Sequence, residues 1–257
     1  MADQSTSNTQ PNRAQIRVEP ITNPEEDFNR FFELAALTFG HQVHDGVWCA
    51  MNPGWDTAEG CTSGSARLAA RWSTITKDRH GNPNTIFLKA VLGDGSGDEE
   101  KIVGAAIWEQ ASMVDGYGQA PAINIDNSQL EALYPNQPDE QRYLRQVDHS
   151  LRRRRLEVIR EIAMSSSPAV MVLDLCVVDP ACQRLGIATR LVEWGLREAK
   201  ARGGLEAVLE ASSMGRHVYR KLGFEQEGGE FLYDVDEEFR DREQPSNVFM
   251  RTGRPVA

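Results

Sequence analysis

Cysteine is scarce in this 257-residue chain: Cys49, Cys61, Cys176 and Cys182, with no Cys-x-x-Cys pair. That pattern offers neither a disulfide framework nor a thiolate zinc cage, and it fits reduced thiols inside a cell. The five histidines never fall at His-x-x-x-His or His-Glu-x-x-His spacing, so no metal is expected. No apolar run approaches the roughly 18 residues of a membrane span. Residues 1–15 contain no aliphatic run, which excludes a signal peptide and reads as a disordered tail. Positive charge is also short, with 28 Lys and Arg against 38 Asp and Glu and a net charge of −10. A nucleic-acid partner requires a basic face and is not expected. Neither a Gly-x-x-x-x-Gly-Lys-Ser/Thr loop nor a Gly-x-Gly-x-x-Gly turn after a strand occurs, which argues against a nucleoside triphosphatase and a dinucleotide-binding enzyme. The expected setting is cytoplasmic, with the nucleus not excluded.

What is present concentrates in residues 170–204. Val170–Val178 is an almost unbroken apolar, β-branched run, as in a strand buried on both faces, and Asp174 is its one charge. Pro180 ends the ladder. The segment Gln183-Arg184-Leu185-Gly186-Ile187-Ala188 then turns into a helix whose apolar stripe is Ile187, Leu191, Val192, Leu196 and Ala199, and Gly203-Gly204 stops it. The first amides of such a helix lack carbonyl partners and carry the positive end of its dipole, which suits a phosphate. Arg184 and Arg190 stand nearby as further cations. Spacing alone leaves an ordinary strand–turn–helix as an equal reading.

Gln183, Gly186 and Ala188 resemble motif A of the GNAT N-acetyltransferase superfamily. Tyr219-Arg220-Lys221-Leu222-Gly223-Phe224 is similar to that family's Tyr-x-x-x-Gly-Phe signature, with a strand, Leu205–Ser212, between the two. Lys101–Glu109 resembles the family's central hairpin strand. The similarity is strong over residues 168–235 and weaker back to Ile16. It implies an α/β fold: a mixed central sheet of six to seven strands flanked by helices, in a single domain over residues 16–257, with a helical insertion at about 110–167 before the central strand.

The resemblance also implies acetyl-CoA as cosubstrate. The pantetheine arm would run along Leu175, Cys176, Val177 and Val178, and the pyrophosphate would lie on Gln183, Arg184, Leu185, Gly186, Ile187, Ala188 and Thr189. The Cys176 amide is the candidate donor to the thioester oxygen, where charge develops during transfer. Tyr219 is the implied general acid toward the coenzyme A sulfur; a phenol starts protonated at neutral pH. A core tyrosine is the bland alternative. An alkylamine has a pKa near 10, so a proton acceptor is needed. The glutamate that some family members carry on the strand before motif A is replaced here by Val172, which leaves Asp174, Glu210 or a chain of waters. Ser212 and Ser213 stand where the family often has asparagine.

The expected activity is direct acetyl transfer to a primary amine in a ternary complex, a small-molecule acceptor ahead of a protein lysine or N-terminus, by a monomer or homodimer. A non-catalytic acyl-CoA sensor is the alternative from another class. Elsewhere, helices are expected over Asp27–Phe39, Ser65–Thr76, Ser128–Leu133 and about 138–163, and strands over Ile16–Pro20, Thr85–Leu92 and Lys101–Glu109. The long helix contains Arg152-Arg153-Arg154-Arg155, which reads as a solvated, ion-paired face ahead of a grip on an acidic ligand. Segments 40–62, 110–145 and the acidic 234–243 are expected to border the acceptor site.

Overall fold

The computed structural model describes residues 16–93 and 100–253; the tail expected over 1–15 and most of the loop after Gly93 lie outside them. Seven strands form one mixed sheet in the order β1-β2-β3-β4-β5-β7-β6. They are β1 (Ile16–Pro20), β2 (Thr85–Leu92), β3 (Lys101–Ala111), β4 (Val170–Val178), β5 (Glu206–Ser212), β6 (Glu225–Glu230) and β7 (Asn247–Arg251). Only β4 and β5 run parallel. Helix α6 (Ile187–Ala201) covers one face with a core of Trp108, Met171, Leu191 and Leu209. The other face carries α1 (Pro24–Ala35), α3 (Ala58–Ser73) and α5 (Pro138–Ile162) over two further clusters, one around Phe28, Phe31 and Phe87 and one around Val158, Ile159 and Val172. The expected mixed α/β sheet flanked by helices is therefore present.

Helix α6 lies close against β3 because Gly195 has no side chain: a Cβ there would stand 2.0 Å from the Trp108 indole. That approach brings the start of α6 to the end of β4. The insertion between β3 and β4 holds α4 (Asn127–Leu133), capped by Asp126, and α5, whose Pro138 sits in the first turn.

Several boundaries differ from expectation. Helix α1 starts at Pro24 with Glu25, Glu26 and Asp27 in its first turn, then widens into a π-helical segment over Ala36–Gln42. Helix α3 begins at Ala58, capped by Thr57, seven residues ahead of the expected Ser65. Segment 40–62 contains the short helix α2 (Gly46–Met51), whose start is fixed by Asp45 accepting from the Val47 and Trp48 amides. The helix after β4 does not open at Gln183. A 3-10 turn, Pro180–Cys182, comes first, Gln183 is extended, and Arg184 and Gly186 are left-handed at φ 67° and 83° before Ile187 starts α6.

Candidate active site

The parallel pairing of β4 with β5 is incomplete, and the site follows from that. Val170–Leu173 pair with Glu206–Leu209, and no pairing between the two strands extends further, although β4 runs on to Val178 and β5 to Ser212. A bulge marks the parting. Ile107 faces Leu175 and Trp108 faces Leu173, so Asp174 is the extra residue on β4. The side-chain alternation changes there. Met171 and Leu173 point into the α6-side core, whereas Leu175 and Val177 join the α1-side cluster. Residues 174–176 are half-buried in a strand otherwise buried throughout.

A cavity of about 310 Å³ opens at this parting. Its apolar wall includes Phe31, Phe32, Phe39 and Trp48; Trp48 stacks on Phe39 at 5.9 Å and packs edge-on against Trp55 at 6.0 Å. Leu175, Cys176, Ser212 and Tyr219 line its floor toward the gap. Its polar wall comes from α3 and α5, through Arg67, Arg71, Arg152 and Arg155, and from Asp45, Asp174 and Glu210.

The ionic groups are paired selectively. Arg155, 7% exposed, bridges the two parting strands. It donates to Asp174 Oδ1 at 2.9 Å and through Nε to Glu210 Oε1 at 3.0 Å, with a second bond from Nη2 to Glu210 Oε2. Arg71 donates to Asp174 Oδ2 at 2.7 Å and to Glu109 Oε2 at 2.9 Å. Although burial alone would raise it, the Asp174 carboxyl is held far below the ordinary carboxylate range by Arg71 and Arg155. Arg152 pairs with Asp148 at 2.7 Å. The arginine block therefore divides. Arg153 is exposed, Arg154 joins a surface network with Glu157, Glu161 and Glu227, and Arg155 is buried in the site. The expected solvated face holds for the first two and fails for Arg155.

Two residues that sequence reasoning passed over stand out. Asp45 is buried and lines the cavity, yet it has no cationic partner among the described residues, and burial pushes its carboxyl upward. Asn247 lines the cavity from β7 and donates to Tyr233 Oη at 3.1 Å. Asp45 falls in the 40–62 segment expected near the acceptor, and its one local signal is that Asp-Gly opens a short helix. Of the three segments expected around the acceptor, only 40–62 lines the cavity. Segment 234–243 packs Val235 and Phe239 on Tyr143, and its Asp236 and Glu238 pair with Arg142.

The thiol and the phenol at the gap are both neutral. Burial pushes Cys176 up to about 12, and burial, aided by Cys176, raises Tyr219 well above its ordinary value. Tyr219 packs on Phe224 at 6.0 Å, which fixes its ring at the end of α7 (Arg216–Lys221). Beyond the gap, Val177 and Val178 are buried, and the turn over Gln183–Gly186 leads to the first turn of α6, where Ile187 is buried and Ala188 and Thr189 are half-buried. No side chain caps α6. Gln183 is held by reciprocal amide bonds with Gln42, at 2.8 and 3.1 Å. Arg184 is exposed, whereas Arg190 donates to the Ile16 carbonyl and straps α6 to β1.

Residues 127–224, which hold the parting strands, the turn and Tyr219, match the sequence profile of the GNAT acetyltransferase family. That stretch identifies a GNAT acetyltransferase domain. The fold agrees over nearly the whole length of the chain. A Corynebacterium glutamicum protein described as histone acetyltransferase HPA2 and related acetyltransferase is 15% identical, with a TM-score of 0.52 over 95% of this chain and 98% of that one. Aedes aegypti arylalkylamine N-acetyltransferase 2 is 18% identical, with a TM-score of 0.53 over 92% and 97%. An agmatine N-acetyltransferase is 12% identical, with a TM-score of 0.54 over 92% and 97%. At these identities the likeness is one of fold. No curated protein matches the chain. GNAT enzymes use acetyl-CoA, and the chain has features that fit it: an unpaired strand edge at Asp174–Val178, then an uncapped helix start behind a left-handed glycine. Among the described residues, no helix is long and apolar enough to cross a membrane, and no cluster of three His, Cys, Asp or Glu side chains is arranged for a metal.

Proposed function

We propose that this GNAT member transfers the acetyl group of acetyl-CoA to the primary amine of a small molecule, directly, in a ternary complex. The observation that carries this reading is one cavity that joins the open edge of β4 to an aromatic and ionic chamber under α3 and α5. A chamber of about 310 Å³ suits a small amine better than a protein surface. The pantetheine arm would pair along Leu175–Val178. The pyrophosphate would rest on Gln183–Thr189, where dipole and free amides favour an anion. The Cys176 amide would donate to the thioester oxygen.

Tyr219 supplies the proton to the departing sulfur, and its raised pKa keeps it protonated across the working range. Asp174 and Glu210 are assigned a different part from the one their sequence positions suggest. Each is committed to Arg155, and the lowered affinity of Asp174 for protons makes it a poor base. They hold the parting strands at a fixed distance. Asp45 takes the amine proton in this reading. It is buried, its pKa is raised toward the useful range, and one of its oxygens caps α2 and fixes its geometry.

Thiol release from acetyl-CoA against a panel of arylalkylamines, polyamines, aminoglycosides and lysine peptides tests the activity. Tyr219→Phe is expected to lower kcat about 100-fold or more with the KM for acetyl-CoA little changed. Asp45→Asn should remove the acidic limb of the kcat/KM profile, because activity falls as pH drops through the pKa of a base. An acidic limb that survives in Asp45→Asn and vanishes in Glu210→Gln would return the base to β5. Coenzyme A binding without thiol release toward any amine would favour the sensor.

A further inference from the structure

The four arginines of the cavity are not equivalent. Arg71, Arg152 and Arg155 each face at least one carboxylate. Arg67 faces none among the described residues. Its Nη2 donates to Asn52 Oδ1 at 2.8 Å and its Nη1 to Ser63 Oγ at 3.0 Å, both neutral acceptors. Of a guanidinium's five donors, these two bonds use two. Burial lowers the basicity of Arg67, and no acidic neighbour offsets it. A half-buried cation that lines a cavity without a counter-charge is costly unless a ligand brings one.

We infer that Arg67 is the anchor for a carboxylate on the acceptor, so that the substrate class is an arylalkylamine bearing an acid at the end away from its amine. This rests on the transfer reading above for the amine, and on Arg67 alone for the acid. The geometry gives the separation. Asp45 caps the start of α2, and Asn52, the partner of Arg67, follows its end. Seven residues at 1.5 Å each put these two positions about 10 Å apart. The same cavity carries the apolar side chains of Phe32, Phe39, Trp48 and Leu68, which suit a flat hydrocarbon body. An α-amino acid carries both groups on one carbon and cannot reach both ends.

Two matched pairs of probes separate the parts. The reactive pair is para-(aminomethyl)phenylacetate and its primary amide. The unreactive pair is phenylacetate and phenylacetamide, which carry no amine and need no transfer to bind. The wild-type enzyme is expected to prefer the acid of each pair by at least about tenfold, in kcat/KM for the first and in calorimetric affinity for the second, as a charge-assisted pair warrants. Arg67→Met should bring both ratios close to one, and Arg67→Lys should restore part of each. A wild-type enzyme that binds phenylacetate no better than phenylacetamide overturns the inference. So does an Arg67→Met enzyme that loses acid and amide equally, since Arg67 would then only brace Asn52. Preserved preference for phenylacetate with no thiol release from any amine would leave the anion anchor standing and remove the transfer reading.

Discussion

The two halves of the β4–β5 pair sit in one sheet and are held by opposite means. In the closed half, Val170–Leu173 and Glu206–Leu209 share a backbone ladder under apolar side chains such as Val172, Val208 and Leu209. In the open half the ladder is gone, and the strands are joined by Arg155 between Asp174 and Glu210. The closed half is packed by apolar volume on both faces, and its one buried charge, Glu206 at the start of the ladder, is paired with Arg251 on β7. In the proposed reading the open half leaves a strand edge free for the cosubstrate, and the side-chain bridge keeps the spacing without filling the ladder. The sheet thus uses burial where it stays shut and charge where it parts.

The sharpest way to break this comparison is Arg155→Met. It leaves two buried carboxylates without their shared cation and is expected to cost about 3–5 kcal/mol in urea unfolding, with loss of acetyl-CoA binding. If stability and binding both persist, the bridge does not set the gap. Acid offers a second test. Asp174 has its pKa depressed in the folded state by Arg71 and Arg155, so its stabilisation is fully present above the unfolded carboxylate value of about 4 and fades as pH falls below it toward the folded value. The urea midpoint should therefore drop between about pH 5 and about pH 3, on either side of that unfolded value, more in the wild type than in Asp174→Asn. The smallest effect belongs to Arg154→Ala, one residue along α5, whose partly exposed ion pairs with Glu157, Glu161 and Glu227 should contribute no more than about 1 kcal/mol. A loss as large as that of Arg155→Met would erase the distinction between the two arginines.

The fold was legible where periodicity and a break coincide. The unbroken run Val170–Val178 read as a buried strand, and the stripe from Ile187 to Ala199 as its helix. Gln183, Gly186 and Ala188 of the turn, and Tyr219 beyond them, were singled out by resemblance to the GNAT motifs, since spacing alone fits an ordinary strand–turn–helix equally well. The cavity was harder, because its groups come from elements far apart in the chain. Arg155 did leave a trace. It stands four residues after Leu151 and three before Val158, so it lies on the apolar stripe of α5, where a charge calls for a buried partner. Reading the four arginines as one block hid that. Asp45 carried only its capping signal, and its isolation from cations depends on packing that no local pattern records. The acidic segment 234–243 misled for the converse reason: its charges were visible, but its Tyr143 and Arg142 contacts were not.

The bulge at Asp174 also bears on how the chain finds its register while folding. Strand β4 is central, and its partners are distant in sequence, so several slipped pairings offer similar apolar contact. A slip would carry Asp174 away from Arg71 and Arg155 and lodge a carboxylate among hydrocarbon side chains. Only one alignment satisfies the ionic groups and the strand together. The bracket that keeps the gap open thereby serves as the key that selects which β4 alignment can become native.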